Sequence, residues 1–161
     1  MKKILFLDHD GVICLLGEWG SRHKTKSLFD RFNQKAIEVL NDILKETDCE
    51  IVISSDWRTY CTLEEMRQLY RERGVVKSPI DYTPTSLDSH LLTDIKPHNE
   101  LEMTRCLEIQ DWLGNHPEVT HWVAVDDLNL GIGLQNFVQT KRQNEGIKQS
   151  GIKQKIINFL K

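Results

Sequence analysis

Residues 2–12, Lys2-Lys3-Ile4-Leu5-Phe6-Leu7-Asp8-His9-Asp10-Gly11-Val12, decide the fold. The apolar run from Ile4 to Leu7 breaks off at a cluster of acids. A continuous apolar run suits a strand covered on both faces, as in a parallel sheet. The pattern recurs twice: Ile51-Val52-Ile53 ends at Ser54-Ser55, and Trp122-Val123-Ala124-Val125 ends at Asp126-Asp127. Helical periodicity fills the intervals. Ala36, Leu40 and Ile43 form a stripe in a helix predicted from about Asn33 to Lys45. Thr62 and Glu65 make a capping box for a helix turning Leu63, Met66 and Tyr70 inward, with Gly74 as its stop. A further helix is predicted from about Thr104 to Leu113, with Cys106, Ile109 and Leu113 on one face and Gly114 at its end. Phe137-Val138 reads as a short last strand, and Ile152, Ile156 and Phe159 mark a closing helix. Residues 75–103, with Pro79, Pro84 and Pro97, predict a short strand and long loops. The alternation of strands and helices implies an α/β fold, a parallel sheet with helices on both faces.

Composition bounds what such a fold can be. With 161 residues, 39% of them hydrophobic and 28% charged, the chain is sized for a single domain spanning 1–161. Nothing in it has the length of a large cap domain. The net charge of −3 excludes bulk electrostatic capture of nucleic acid. The four cysteines, Cys14, Cys49, Cys61 and Cys106, show no C-x-x-C spacing and so no zinc ribbon or redox dithiol. No apolar run approaches the roughly 20 residues of a membrane span, and Ile4–Leu7 is too short for a signal peptide. Free thiols without such segments point to the cytoplasm, with no membrane partner.

Parallel strands place their carboxyl ends on one edge, where open α/β sheets bind ligands. Asp8, Asp10, Asp126 and Asp127 are therefore expected to converge. Each like-charged pair at about 4 Å costs roughly 4 kcal/mol at an effective dielectric of 20, so the cluster needs a proton or a cation. All-oxygen ligands with room for water suit Mg²⁺. A lone D-x-D would read as a turn or cap; two acidic clusters, each directly after a buried strand, argue against that. Asp8, held stiffly at the strand end, can attack phosphorus and form an aspartyl phosphate. Asp10, two residues on, faces the same side and can protonate the leaving oxygen and then deprotonate water. Gly11 lets the backbone bend away from the site.

These stretches resemble the haloacid dehalogenase superfamily of phosphohydrolases. Residues 6–12, FLDHDGV, are similar to its D-x-D-G first motif, IVISS at 51–55 to its second and VAVDD at 123–127 to its fourth. The segments ISSDWR, RCLEIQDWL and WVAVDD further resemble the domains of this type associated with RNA-repair proteins. The resemblance implies a Rossmann-like parallel sheet and a set of roles. Asp8 would be nucleophile and Mg²⁺ ligand, and Asp10 the general acid/base with its carbonyl on the metal. Asp126 would complete the metal site, with Asp127 as ligand or supporting group, and Ser54 would bind a phosphoryl oxygen. Arg105 or Lys96 would neutralise the phosphoryl charge, Lys96 standing in a Lys-Pro pair. Arg58 either touches phosphate near Ser54 or belongs to a structural ion pair.

Other residues carry less. His9 should point away from the two aspartates, and Trp57, Trp112 and Trp122 read as core. The basic run Arg22-His23-Lys24-Thr25-Lys26 is a surface loop or a rim for an anionic substrate. The charges of the tail from Lys141 read as a solvated helix face. The expected function is hydrolysis of a terminal phosphate on nucleic acid or a nucleotide. A small-metabolite phosphatase and a non-catalytic metal- or phosphate-binding module are the alternatives. There is no G-x-x-x-x-G-K-[ST] phosphate loop. A signalling receiver is disfavoured because its phosphorylated Asp ends a later strand. Protein partners are not legible.

Overall fold

The apolar runs form the middle of a five-stranded, all-parallel sheet in a computed structural model that describes residues 1–15, 32–85 and 99–161. The strands are β1 (Lys2–Leu7), β2 (Glu50–Ile53), β3 (Asp81–Tyr82), β4 (Val119–Asp126) and β5 (Phe137–Gln139), in spatial order β3-β2-β1-β4-β5. β1 lies at the centre, which is why it is apolar on both faces. Leu5 and Leu7 pack on one side with Ile51, Ile53, Val123 and Val125. Ile4 and Phe6 pack on the other with Val52 and Ala124. This period-2 division sorts the helices. The helices α1 (Gln34–Thr47), α2 (Leu63–Glu72) and α4 (Ile152–Leu160) cover the first face, and α3 (Glu100–Gly114) covers the second. The architecture is the α/β, Rossmann-like arrangement expected.

Local signals explain the helix ends. Asn33 caps α1 by accepting a hydrogen bond from the Ala36 amide, and Thr62 and Glu65 close the capping box of α2 in both directions. Gly74, just past α2, takes φ +81°, a conformation that L side chains resist. The helix predicted from Thr104 starts earlier, at Glu100. Glu100 and Glu102 stand in its first turn, where they favour the positive end of the helix dipole. Its inward face also differs from the expected one, because Arg105 and Glu108 are buried beside Cys106, Ile109 and Trp112. Two inward charges blur the amphipathic stripe. β4 extends from Val119, earlier than its apolar core, because Lys2 and Lys3 of β1 give it pairing partners. Among the described residues no helix is long and apolar enough to cross a membrane.

Candidate active site

Register brings the strand-end residues together. Leu7 pairs with Ile53 on one side and Val125 on the other, so Asp8, Ser54 and Asp126 follow at the same carboxyl edge. The Asp8 amide donates to the Val125 carbonyl at 3.1 Å, and the Ser54 amide to the Leu7 carbonyl at 3.1 Å. Beyond Asp8 the chain folds back on itself. The His9 carbonyl accepts from the amides of Val12, Ile13 and Cys14 at 2.9–3.0 Å. Gly11 makes this turn at φ +79°, and a Cβ there would stand 2.7 Å from Asp127 Oδ2. Glycine is thus required twice at one position, for the backbone angle and for the approach of Asp127. Thr140, buried after β5, donates its hydroxyl to the Gly11 carbonyl at 2.9 Å and ties the turn to the β4–β5 side.

Asp8, Asp126 and Asp127 each offer a carboxylate oxygen to a cluster whose atoms lie within 4.8 Å of one another. Among the described residues a single guanidinium enters it. Arg105, from α3, reaches Asp126 Oδ2 at 2.8 Å and Asp8 Oδ1 at 3.5 Å through Nη1, and Asp56 Oδ1 at 3.1 Å through Nη2. Burial works against its charge, but Asp126 and Asp8 outweigh that and hold its pKa above the ordinary arginine value. Among the described residues one cation does not neutralise the acids. Burial, reinforced by the Asp126 carboxylate and only partly countered by Arg105, holds Asp8 well above the usual carboxylate range. Burial also pushes Asp126 up to about 6, against the pull of Arg105 and of the Leu128 amide on Oδ1. Among the described residues acid exceeds base, so the cluster takes up a proton or a cation, and its hard oxygen donors fit a divalent cation of the Mg²⁺ class.

The cluster opens into a hollow of about 140 Å³ lined by Asp8, Asp10, Ser55, Asp56, Leu101, Arg105, Asp127 and Leu128. That is room for a phosphoryl group. A larger hollow of about 430 Å³, beside Trp122 and Gln110, is lined by no titratable side chain.

A family model described as the HAD domain in Swiss Army Knife RNA repair proteins matches residues 4–150. The chain belongs to this family. No match was found among curated proteins or among solved structures.

Within this HAD domain the expected site residues fall into three groups. Asp8, Asp10, Asp127 and Arg105 line the hollow, and Asp126 stands behind them, fully buried on Arg105. Asp10 lies outside the three-carboxylate cluster, and its Oδ2 accepts from the Trp57 indole at 3.3 Å. Ser54 and Arg58 differ from expectation. Ser55 lines the hollow where Ser54 was expected to, because the chain turns into a 3-10 helix (Asp56–Thr59) capped by Ser55 Oγ. Arg58 does not line it. Its Nη1 donates to the Ser54 and Ser55 carbonyls at 2.9 and 2.8 Å and its Nη2 to Glu108, so the phosphate-contact reading gives way to the structural ion pair. Lys96 and the Arg22–Lys26 run lie outside the described residues.

Other site residues escaped sequence reasoning. Asp56 follows Ser55 directly and holds Arg105. Glu108 sits one helical turn after Arg105, a spacing that could have marked both as inward charges. Gln143, in the loop after β5, donates to Asp127 Oδ2 at 2.6 Å, and no local signal marks it. His9 turns away from the carboxylates, as expected. Its Nε2 meets the Tyr70 hydroxyl at 2.7 Å, among Phe32 and Trp57, and burial lowers its pKa to about 3.

Proposed function

We propose that the protein is a Mg²⁺-dependent phosphohydrolase that works through an aspartyl phosphate on Asp8. The single observation that carries this reading is a buried Asp8 at a strand end, facing a phosphoryl-sized hollow and sharing Arg105 with Asp126. Asp8, Asp126 and Asp127 would hold the cation, which when bound supplies Lewis-acid polarisation of a phosphoryl oxygen. The chain's own groups do the rest. Asp8 attacks phosphorus as the bond to the leaving oxygen breaks. Asp10 gives that oxygen its proton, then takes one from the water that attacks the phosphoryl-aspartate. Arg105 offsets the phosphoryl charge, and Ser55 is placed to donate its hydroxyl, since its oxygen already accepts from the Trp57 amide.

The preferred substrate is a terminal phosphate on a nucleic acid or nucleotide. The family description, with its RNA repair proteins, supports this, and the open hollow at Asp8 admits a phosphoryl group. A panel of phosphate esters with Mg²⁺, including 3′- and 5′-phosphorylated oligonucleotides and the matching mononucleotides, tests it. Mg²⁺-dependent release of phosphate, abolished by chelation and best from the oligonucleotides, is the expected result. Better use of a small phosphate ester leaves a metabolite phosphatase. Metal binding without turnover leaves a non-catalytic module.

A further inference from the structure

The Trp57 indole does more than fill the core. Its ring is buried, stacked on Phe32 with ring centroids 5.7 Å apart at 20°, and met edge-on by His9 at 4.7 Å. Its backbone amide is fixed by Ser55 Oγ at 3.2 Å. The Phe32 and His9 rings are held in turn, both against Tyr70. From this braced position Nε1–H points at Asp10 Oδ2, at 3.3 Å. An indole N–H is a donor and never an acceptor. When Asp10 is protonated, the carbonyl-type oxygen is the better acceptor for this N–H, so the contact favours the proton on Oδ1.

We propose that Trp57 is a positioning residue that fixes which oxygen of Asp10 carries the catalytic proton. This rests on the reading above, in which Asp10 is the general acid. As Asp8 bonds to phosphorus and the ester P–O bond breaks, the leaving oxygen takes the proton from Asp10 Oδ1. In the second half the same carboxylate takes a proton from the attacking water as the Asp8–phosphorus bond breaks, which restores both acids and releases phosphate. An aromatic cluster behind the site thus sets the direction of proton transfer at its mouth. Trp112, in the core on the other face, likewise gives its indole N–H to a carboxylate, Asp81 Oδ2 at 2.8 Å; what sets Trp57 apart is that its acceptor lines the hollow.

The distinguishing readout is leaving-group dependence. An alkyl phosphate expels a strongly basic alkoxide and needs the proton, whereas p-nitrophenolate departs without one. Trp57→Phe keeps an aromatic ring and removes the N–H. The ratio of kcat on glycerol 2-phosphate to kcat on p-nitrophenyl phosphate, with Mg²⁺, should fall by about tenfold or more from the parent value, part of the roughly 10²–10⁴-fold that general acids supply. Asp10→Asn should lower the same ratio further. Both rates come from one preparation, so a smaller folded fraction lowers them together and leaves the ratio unchanged. If Trp57→Phe does not fold, benzothienylalanine placed at position 57 keeps the indole shape without the N–H and must give the same fall. A parent-like ratio in the folded variant overturns the proposal alone. A parent that releases phosphate from neither these two esters nor the phosphorylated oligonucleotides overturns the phosphohydrolase reading and this one with it.

Discussion

Two arginines stand at the same edge of the sheet and meet carboxylates in opposite ways. Arg58 spends Nη1 on two backbone carbonyls and Nη2 on Glu108, one cation against one buried anion, with the exposed Asp56 4.0 Å from Nη1. Arg105 faces Asp8, Asp126 and Asp56, one cation against three anions, two of them buried. The first arrangement is balanced and closed and holds the turn after β2. Among the described residues the second leaves acid in excess of base and opens on a hollow. Both are buried ion pairs within one helical turn of α3, so burial and pairing do not mark a reactive site by themselves. The surplus of acid over base among the described residues does, because it needs a proton or a ligand of opposite charge to complete it.

The largest effect expected is on Asp8, at the open pair. Asp8→Asn should lower kcat on the order of 10⁴-fold or more, as loss of a nucleophile does. It should also make the metal-free protein more stable. A carboxyl whose folded pKa is raised contributes stability below its unfolded pKa and loses it as pH rises through the folded value. The variant should therefore melt higher than the metal-free parent at pH 8, with the gap closing toward pH 4. Equal melting at both pH values would remove the surplus-charge argument.

The closed pair should respond in stability instead. Arg58→Ala strands Glu108 in a buried position and should cost about 3 kcal/mol, read from chemical denaturation. The rise in melting temperature on adding Mg²⁺ should be the same in this variant as in the parent, because the variant leaves the acids of the open site intact. A lost Mg²⁺ increment would mean that the two arginines form one unit.

How far this contrast was legible in the sequence depends on what each residue answers to. β1, β2 and β4 were readable because central strands buried on both faces must be apolar throughout, and their ends placed Asp8, Asp10, Asp126 and Asp127 on one edge. β3, only Asp81–Tyr82, is too short to show a period. Arg105 stood out through the family resemblance. Asp56, Glu108 and Gln143 did not, since each acts through a partner distant in sequence. Ser55 replaced Ser54 at the hollow for a purely local reason: the chain leaves the strand by a tight turn, and a strand-end rule cannot say which of two adjacent serines faces the site.

The aromatic cluster behind the open pair gives a smaller, pH-dependent effect. Unfolded His9 gains a proton below pH 6.5, whereas the folded ring resists one until about pH 3, so its contribution to stability falls as pH falls through that window. The slope is about 1.4 kcal/mol per pH unit, or about 2 kcal/mol from pH 6.5 to 5. His9→Gln should lose that slope. Denaturation midpoints of parent and variant at pH 6.5 and 5 check it, and parallel changes would refute it.

The smallest effect belongs to the outermost acid. Asp56 is 66% exposed in its side chain, so Asp56→Asn should change stability by less than about 1 kcal/mol. The substitution frees Arg105 Nη2 for a phosphoryl oxygen, and a pair of that strength corresponds to a fall in KM of at most about fivefold. A raised KM would show instead that the Asp56 charge assists substrate.

Rapid acid quenching during turnover with Mg²⁺ and a phosphate ester, followed by peptide mass spectrometry, tests the central claim most directly. The account predicts a phosphoryl group on the side chain of Asp8, absent in Asp8→Asn and absent when Mg²⁺ is chelated. Sustained turnover with no phosphoryl on Asp8, or a phosphoryl group on another residue, would contradict it.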